Sequence, residues 1–262
     1  MKLIYINIMS NIIQSLWVDG ELSKMEQLCA KSFVDNGHEY HLYTYGDVKN
    51  IPEGVIVKDG NEIVPASDIF RYKNGSLSAF SNYFRFHLLH KKGGYWVDAD
   101  VLCVKPFKFD NDIIFVSEPI GQHYHTFLPT SCIIKLPPNT DITREAIKMQ
   151  NDHKDLIIAG KLEWGSGPRT IKHIIDKFNL HKNILKWSTI CTCDYQGVIS
   201  LVNPNSNIKQ TFTNIVDKYQ DIRSETFCIH LWNEGWKQNK LDKNASYRPD
   251  SIYEQFKKKH NI

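Results

Sequence analysis

Several biases that would name a protein class are missing from this sequence, and each absence removes a class of function. Charge of one sign is in short supply. Thirty-two Lys and Arg stand against 29 Asp and Glu, a formal +3, too small an excess to suggest a nucleic acid partner. A long uninterrupted apolar run is also missing. The opening MKLIYINIMSNIIQSLW is broken by Asn7, Ser10, Asn11 and Gln14, and no small-residue cleavage site follows. It predicts soluble strands rather than a signal peptide or membrane anchor. No low-complexity tract, proline-rich linker or internal repeat divides the 262 residues, so one large α/β domain, or one domain with a small subdomain, is expected.

A paired cysteine framework is absent as well. Cys191 and Cys193 are two apart, poor spacing for a disulfide, and lack the second ligand pair of a zinc site. Cys29, Cys103, Cys132 and Cys228 stand in apolar contexts and are expected to serve as small buried hydrophobes. That usage predicts a reducing cytoplasm. Lys257-Lys258-Lys259 is the nearest approach to a basic run and is expected to be a solvated helix end.

What is present is a strand and helix alternation. Residues 12–17 read as a strand. Residues 23–36 read as a helix, with Ser23 as N-cap, Glu26 three residues on, and Gly37 as the stop. Residues 38–45 alternate apolar and polar as a second strand, and 54–57 suggest a third. This order begins a Rossmann-like, mainly parallel sheet flanked by helices, in which ligands bind beyond the carboxyl ends of the strands. Further strands are predicted at 101–104, 113–117, 130–136 and 227–232. Helices are predicted at 81–91, 142–151 and 169–178, the last after the turn Trp164-Gly165-Ser166-Gly167-Pro168. Residues 203–221 carry only a weak pattern.

The chemistry concentrates in SNYFRFHLLHKKGGYWVDADVLCVKPF, residues 81–107. An amphipathic helix, the Gly93-Gly94 turn and the short strand 95–97 run into Asp98 and Asp100. Side chains two apart in an extended segment point the same way, so the two carboxylates can share a cation. Two oxygen ligands with open positions suit Mg²⁺ or Mn²⁺ bridging a diphosphate rather than a closed structural cage.

This string resembles the core motif of the DXD glycosyltransferases of family 32, the Och1-like and bacterial capsule and lipopolysaccharide sugar transferases, which are related to the glucosylating clostridial toxins. Ser81, Arg85, Leu89, Gly93, Gly94, Asp98 and Asp100 fall on the family pattern in register, and Trp96 takes an aromatic position usually held by tyrosine. Ile13-Gln14-Ser15-Leu16-Trp17 is similar to the family's opening motif, Gly167-Pro168 to its later Gly-Pro, and His230-Leu231-Trp232 with Trp236 to its closing motif. The resemblance implies a GT-A fold in a single domain, with a nucleotide-sugar half over about 1–105 and an acceptor half with a C-terminal metal segment over about 106–262.

The resemblance also implies roles. Asp98, Asp100 and His230 would hold the metal, Mn²⁺ or Mg²⁺, with Asp98 reaching the donor as well. Arg85 would join Asp98 and Asp100 in catalysis by binding donor oxygens. Trp17, Ser81, Asn82, Gly235, Trp236 and Lys237 would line the donor, with Asn82 in place of the family's usual aspartate. Trp164, Gly167, Trp232 and His123 would face the acceptor. The expected activity is retaining transfer of a sugar from a nucleotide-sugar, most simply a UDP-sugar, to a glycan or lipid-linked glycan in surface polysaccharide synthesis. It would take place in the cytoplasm, with the basic C-terminus touching the membrane. A binding protein that has lost catalysis and a metal-dependent phosphoesterase remain as alternatives.

Overall fold

The computed structural model describes residues 12–120, 126–190, 197–203 and 226–262. Cys191, Cys193, His123 and the weakly patterned 204–221 lie outside them, as do residues 1–11. The main sheet is built from β1 (Ile13–Leu16), β2 (Tyr40–Thr44), β3 (Val55–Asp59), β4 (Gly94–Val97), β6 (Ile114–Ile120), β7 (Thr126–Leu136) and β8 (Ile184–Leu185). Their order is β3-β2-β1-β4-β7-β6-β8. The contacts β3·β2, β2·β1, β1·β4 and β6·β8 are parallel, and only β7 runs against its neighbours. The mainly parallel α/β sheet expected from the sequence is therefore present. A separate two-strand ribbon pairs β5 (Val101–Cys103) with β9 (Cys228–His230).

The described residues also include seven α-helices: α1 (Lys24–Asp35), α2 (Ser78–Lys92), α3 (Asp141–Ile158), α4 (Ser166–Lys177), α5 (Val198–Val202), α6 (Asn233–Gln238) and α7 (Ile252–Lys259). Side-chain alternation along β4 and β7 divides the core in two. Trp96 and Ile134 pack with Phe80, Phe84 and Leu88 of α2 and with Ile171 and Ile174 of α4. Tyr95, Val97 and Ile133 face the opposite way, into Ile13, Phe33 of α1, Tyr40 and the ribbon residues Val101, Cys103 and Cys228.

α1 starts as the sequence predicts. Ser23 caps it, accepting from the Met25 N–H, and forms a capping box with Glu26. At Gly93, φ is +67° and an added Cβ would lie 2.5 Å from Pro138 Cδ. The turn into β4 thus demands glycine on both backbone and steric grounds.

Other expectations are corrected. All five β2 residues are buried, because both sheet faces are covered and a central parallel strand has no solvent side. Its His41 is satisfied by Glu39 at 2.6 Å. α2 begins three residues early. α3 runs to Ile158, and α4 takes in Ser166, Gly167 and Pro168, since a first-turn proline forfeits no helical hydrogen bond. Lys257 is not solvated: it is 6% exposed, and its Nζ donates to Ala245 O and Glu254.

Candidate functional site

The chain leaves β1 towards β2 on one side, while β4 lies against β1 on the other. This is the topological switch point at which open α/β sheets bind ligands beyond their carboxyl ends. Trp17 follows β1 there and Asp98 follows β4. The Asp98 N–H donates to Cys132 O at 2.8 Å, and the Val101 N–H to Asp98 O at 3.1 Å. The two aspartates therefore sit in a tight turn, not in the extended segment that the spacing suggests, and the turn rather than the strand pleat brings them together.

His230 arrives through the ribbon. Leu231 N–H donates to Asp100 O at 2.9 Å and Val104 N–H to Phe227 O at 2.8 Å. Between these bonds, Val101 faces His230 and Cys103 faces Cys228. A turn and an antiparallel pairing thus carry the C-terminal histidine to the acidic pair. Ligand atoms of Asp98, Asp100 and His230 all lie within 4.8 Å of one another.

Each member has a distinct environment. Asp98 Oδ1 accepts from Arg85 Nη2 at 2.9 Å and from Trp96 Nε1 at 2.8 Å. Burial raises its pKa, and the Asp100 charge adds to this; Arg85, His230 and the Trp96 N–H oppose the rise without cancelling it. Asp100 Oδ2 accepts the Asn233 N–H at 2.8 Å, and Oδ1 stands 3.5 Å from His230 Nε2. Burial works against ionisation of Asp100, but His230 and the backbone N–H groups outweigh it and hold the pKa at about 2. Burial likewise opposes charge on His230, yet the Asp100 carboxylate and Cys132 push its pKa well above the ordinary value.

These residues fit a divalent cation. Two carboxylates and an imidazole form an oxygen-rich donor set suited to Mn²⁺ or Mg²⁺. Donors on opposite sides of an ion bound at about 2.1 Å lie roughly 4.2 Å apart, comparable with the spread seen here. The 3.5 Å from Asp100 Oδ1 to His230 Nε2 is long for a hydrogen bond.

Arg85 is placed differently from the expectation that it faces the donor. It is 3% exposed. Its Nη1 donates to Ser131 O at 2.6 Å, its guanidinium lies 4.9 Å from the Trp96 ring centroid, and Ser81 O and Oγ stand 3.4 Å away. In this arrangement it positions Asp98. Asn82 is 8% exposed and donates through Nδ2 to Ser166 Oγ at 2.9 Å. An added Cβ on Gly167 would come within 2.4 Å of Asn82 Oδ1. The Gly-Pro segment is thus packed on the Asn82 side chain behind the acidic pair.

The aromatic candidates separate. Trp17 is half-buried, its Nε1 has no partner among the described residues, and Lys243 Nζ lies 5.9 Å from its ring centroid. Trp232, at φ +58°, stacks on His230 with centroids 4.0 Å apart. Trp164 is 75% exposed. Trp236 is 0% exposed and packs edge-on against Tyr247 and Tyr253, and it also borders a cleft with Lys237. Gly235 is buried in α6, and Lys237 is exposed beside a cleft of about 370 Å³ shared with Asn233, Asp242 and Lys243. His123 lies outside the described residues.

Three contacts of the site stand outside the sequence motifs. The Trp96 Nε1 bond to Asp98 was accessible through the same two-residue spacing that picked out Asp98 and Asp100. The Asn233 N–H on Asp100 and the Ser131 carbonyl on Arg85 had no local signal. Cys103 is a buried core residue, as expected. A hydrogen bond from Cys228, then His38, draws its pKa down to about 6 despite burial.

No curated protein matches the chain in sequence. Residues 7–126 match the family model described as capsular polysaccharide synthesis protein, a span that includes Arg85, Asp98 and Asp100. Among solved structures, the chain is similar to one named PaToxG glycosyltransferase, at 14% identity and TM-score 0.47, over 84% of this chain and 88% of that one. It is also similar to a transferase bearing two cysteine-to-serine substitutions, at 10% identity and TM-score 0.39, over 65% of this chain and 86% of that one.

Proposed function

We propose that this protein is a metal-dependent glycosyltransferase that moves a sugar from a nucleotide-sugar, of the UDP class, to a glycan acceptor in bacterial surface polysaccharide synthesis. The observation that carries the reading is the convergence of Asp98, Asp100 and His230 at the switch point of a mainly parallel sheet. The match of residues 7–126 to a capsular polysaccharide synthesis family supports it.

Asp98, Asp100 and His230 would hold a divalent cation, which would supply charge neutralisation for a leaving diphosphate. The chain's own residues do the rest. Arg85 and the Trp96 N–H fix Asp98 through Oδ1, leaving Oδ2 for the cation or donor. The Asn233 N–H fixes Asp100. Trp17, at the end of β1, offers a ring face to the nucleobase. The N-terminal half, through about residue 105, forms the nucleotide side, and the remainder forms the acceptor side. We assign retention of anomeric configuration by front-face substitution, the departing phosphate oxygen taking the acceptor's proton.

No helix among the described residues is long and apolar enough to cross a membrane, and a cytoplasmic enzyme meeting a lipid-linked acceptor at the membrane surface is in keeping with that. A thermal-shift panel of UDP-, GDP- and CMP-sugars, with and without Mn²⁺, tests the reading. UDP-sugars are expected to raise Tm only with Mn²⁺, and Asp100→Asn is expected to erase that increment. Stabilisation by none of the three classes would sink it.

A further inference from the structure

The cleft lined by Asn233, Trp236, Lys237, Asp242, Lys243 and Asn244, about 370 Å³ in volume, lies between two parts of the proposed donor site. At one end the Asn233 N–H donates to Asp100 Oδ2 at 2.8 Å. At the other, Lys243 Nζ stands 5.9 Å from the centroid of the Trp17 ring. The cleft therefore joins the acidic pair to the aromatic ring that follows β1.

Residues 241–247 form no helix or strand, yet this loop is held from two sides. From α7, Tyr253 Oη donates to Lys243 O at 2.7 Å and Lys257 Nζ donates to Ala245 O at 3.1 Å. From the start of α1, the Lys24 N–H donates to Asn244 Oδ1 at 2.9 Å. Lys243 Nζ donates to Glu26 Oε1, on a side chain only 2% exposed, and the other oxygen of that carboxylate is taken by Ser23. An ammonium carries three donors, so the bond to Glu26 leaves two. The Lys243 side chain is 24% exposed, which keeps it open to the cleft. Lys237 is 73% exposed and reaches only Glu234, at 4.0 Å. Lys243 is thus the cation whose place in the cleft is fixed. Asp242 is turned back on the loop, where its Oδ1 accepts the Asn244 N–H at 2.8 Å. A fixed ammonium with donors to spare suits an anionic phosphate oxygen.

We propose that Lys243 binds the α-phosphate of the nucleotide donor. A nucleotide whose base stacks on Trp17 and whose terminal phosphate meets a cation at Asp98, Asp100 and His230 lays its ribose and α-phosphate along this cleft. Lys243 Nζ donates to an α-phosphate oxygen there and keeps its bond to Glu26. The C-terminal helix gains a role as well, because Tyr253 and Lys257 of α7 set the loop that presents Lys243. This rests on the glycosyltransferase reading and on Trp17 as the platform for the base.

The test uses the full chain with Mn²⁺ and measures the affinities of UDP, UMP and uridine by calorimetry. Lys243→Met is expected to weaken UDP and UMP about tenfold or more, the loss of a charged hydrogen bond, and to leave uridine within about twofold. Lys243→Arg should recover part of the UMP affinity. Equal losses for all three compounds would make Lys243 a support for Trp17, and unchanged UMP binding would leave it a partner of Glu26 alone; either result overturns the proposal. Lys243→Met strands the buried Glu26 carboxylate, so Glu26→Gln is added to it. Gln keeps the capping box with Ser23 and leaves no unpaired charge. The double variant is expected to show the same phosphate-selective loss. Restored UMP binding would trace the loss to the stranded carboxylate and overturn the proposal. If neither variant folds, Lys243 is structural and the proposal falls. A wild-type chain that binds none of the three compounds would instead bring down the transferase reading, and this proposal with it.

Discussion

Replacing Arg85 by methionine tests how the site is built without removing a proposed metal ligand. The guanidinium is almost fully enclosed and serves Asp98 and the Ser131 carbonyl at once. Removing one member of a buried ion pair costs about 3–5 kcal/mol. Asp98 keeps the Trp96 hydrogen bond and its side chain is 25% exposed, which reduces its share to about 2 kcal/mol. The orphaned Ser131 carbonyl adds about 1 kcal/mol. A net loss near 3 kcal/mol corresponds to a fall of about 1 M in the urea midpoint for a slope of about 3 kcal/mol/M. Adding Asp98→Asn removes the stranded charge, so the double variant is expected to regain about 1–2 kcal/mol over Arg85→Met alone. Urea melts of the four proteins complete the cycle. A midpoint shift below 0.2 M for Arg85→Met, or a double variant no more stable than the single, would refute the positioning role.

Three further outcomes follow from the packing. Gly167→Ala drives a Cβ to 2.4 Å from Asn82 Oδ1 and 2.8 Å from Ser131 Oγ; it should cost about 1–3 kcal/mol in urea melts and weaken Mn²⁺–UDP binding through the displaced Asn82 and Ser131. Trp236→Ala should cost about 3–5 kcal/mol as a core deletion, whereas Trp236→Phe, if it folds, should bind Mn²⁺–UDP as wild type does; a selective loss of nucleotide binding would place Trp236 in the donor site. Burial, with His90 and Lys154, lowers the His87 pKa from 6.5 to about 4. The folded state therefore prefers neutral His87. Its contribution is complete above pH 6.5 and is lost as pH falls towards 4, about 2 kcal/mol of it by pH 5. His87→Gln should flatten the stability profile between pH 7 and 5, and superimposable profiles would show that His87 does not control it.

Much of the N-terminal part was legible because its signals are local. Ser23 with Glu26 announces a helix start through a capping box whose partners are three residues apart. The double glycine before 95–97 marks a turn that only glycine fits. Asp98 and Asp100 stand out as a pair by their spacing, although a turn rather than the pleat brings them together. What was illegible depends on partners far along the chain. Nothing near Arg85 says that its guanidinium ends on Ser131, or that Trp236 is enclosed by Tyr247 and Tyr253.

The sequence by itself determined the elements and the chemistry available to them: a mainly parallel α/β sheet, an acidic pair after one of its strands, and a histidine near the other end. These follow from periodicity, capping and turn stereochemistry, which act over a few residues. The tertiary structure alone decided that the aspartates meet in a turn, that His230 reaches them by pairing β9 with β5, and that Arg85 supports Asp98 from within the core. Those outcomes depend on which strands become neighbours, and strand pairing is set by burying both faces of the sheet at once rather than by any residue's local preference.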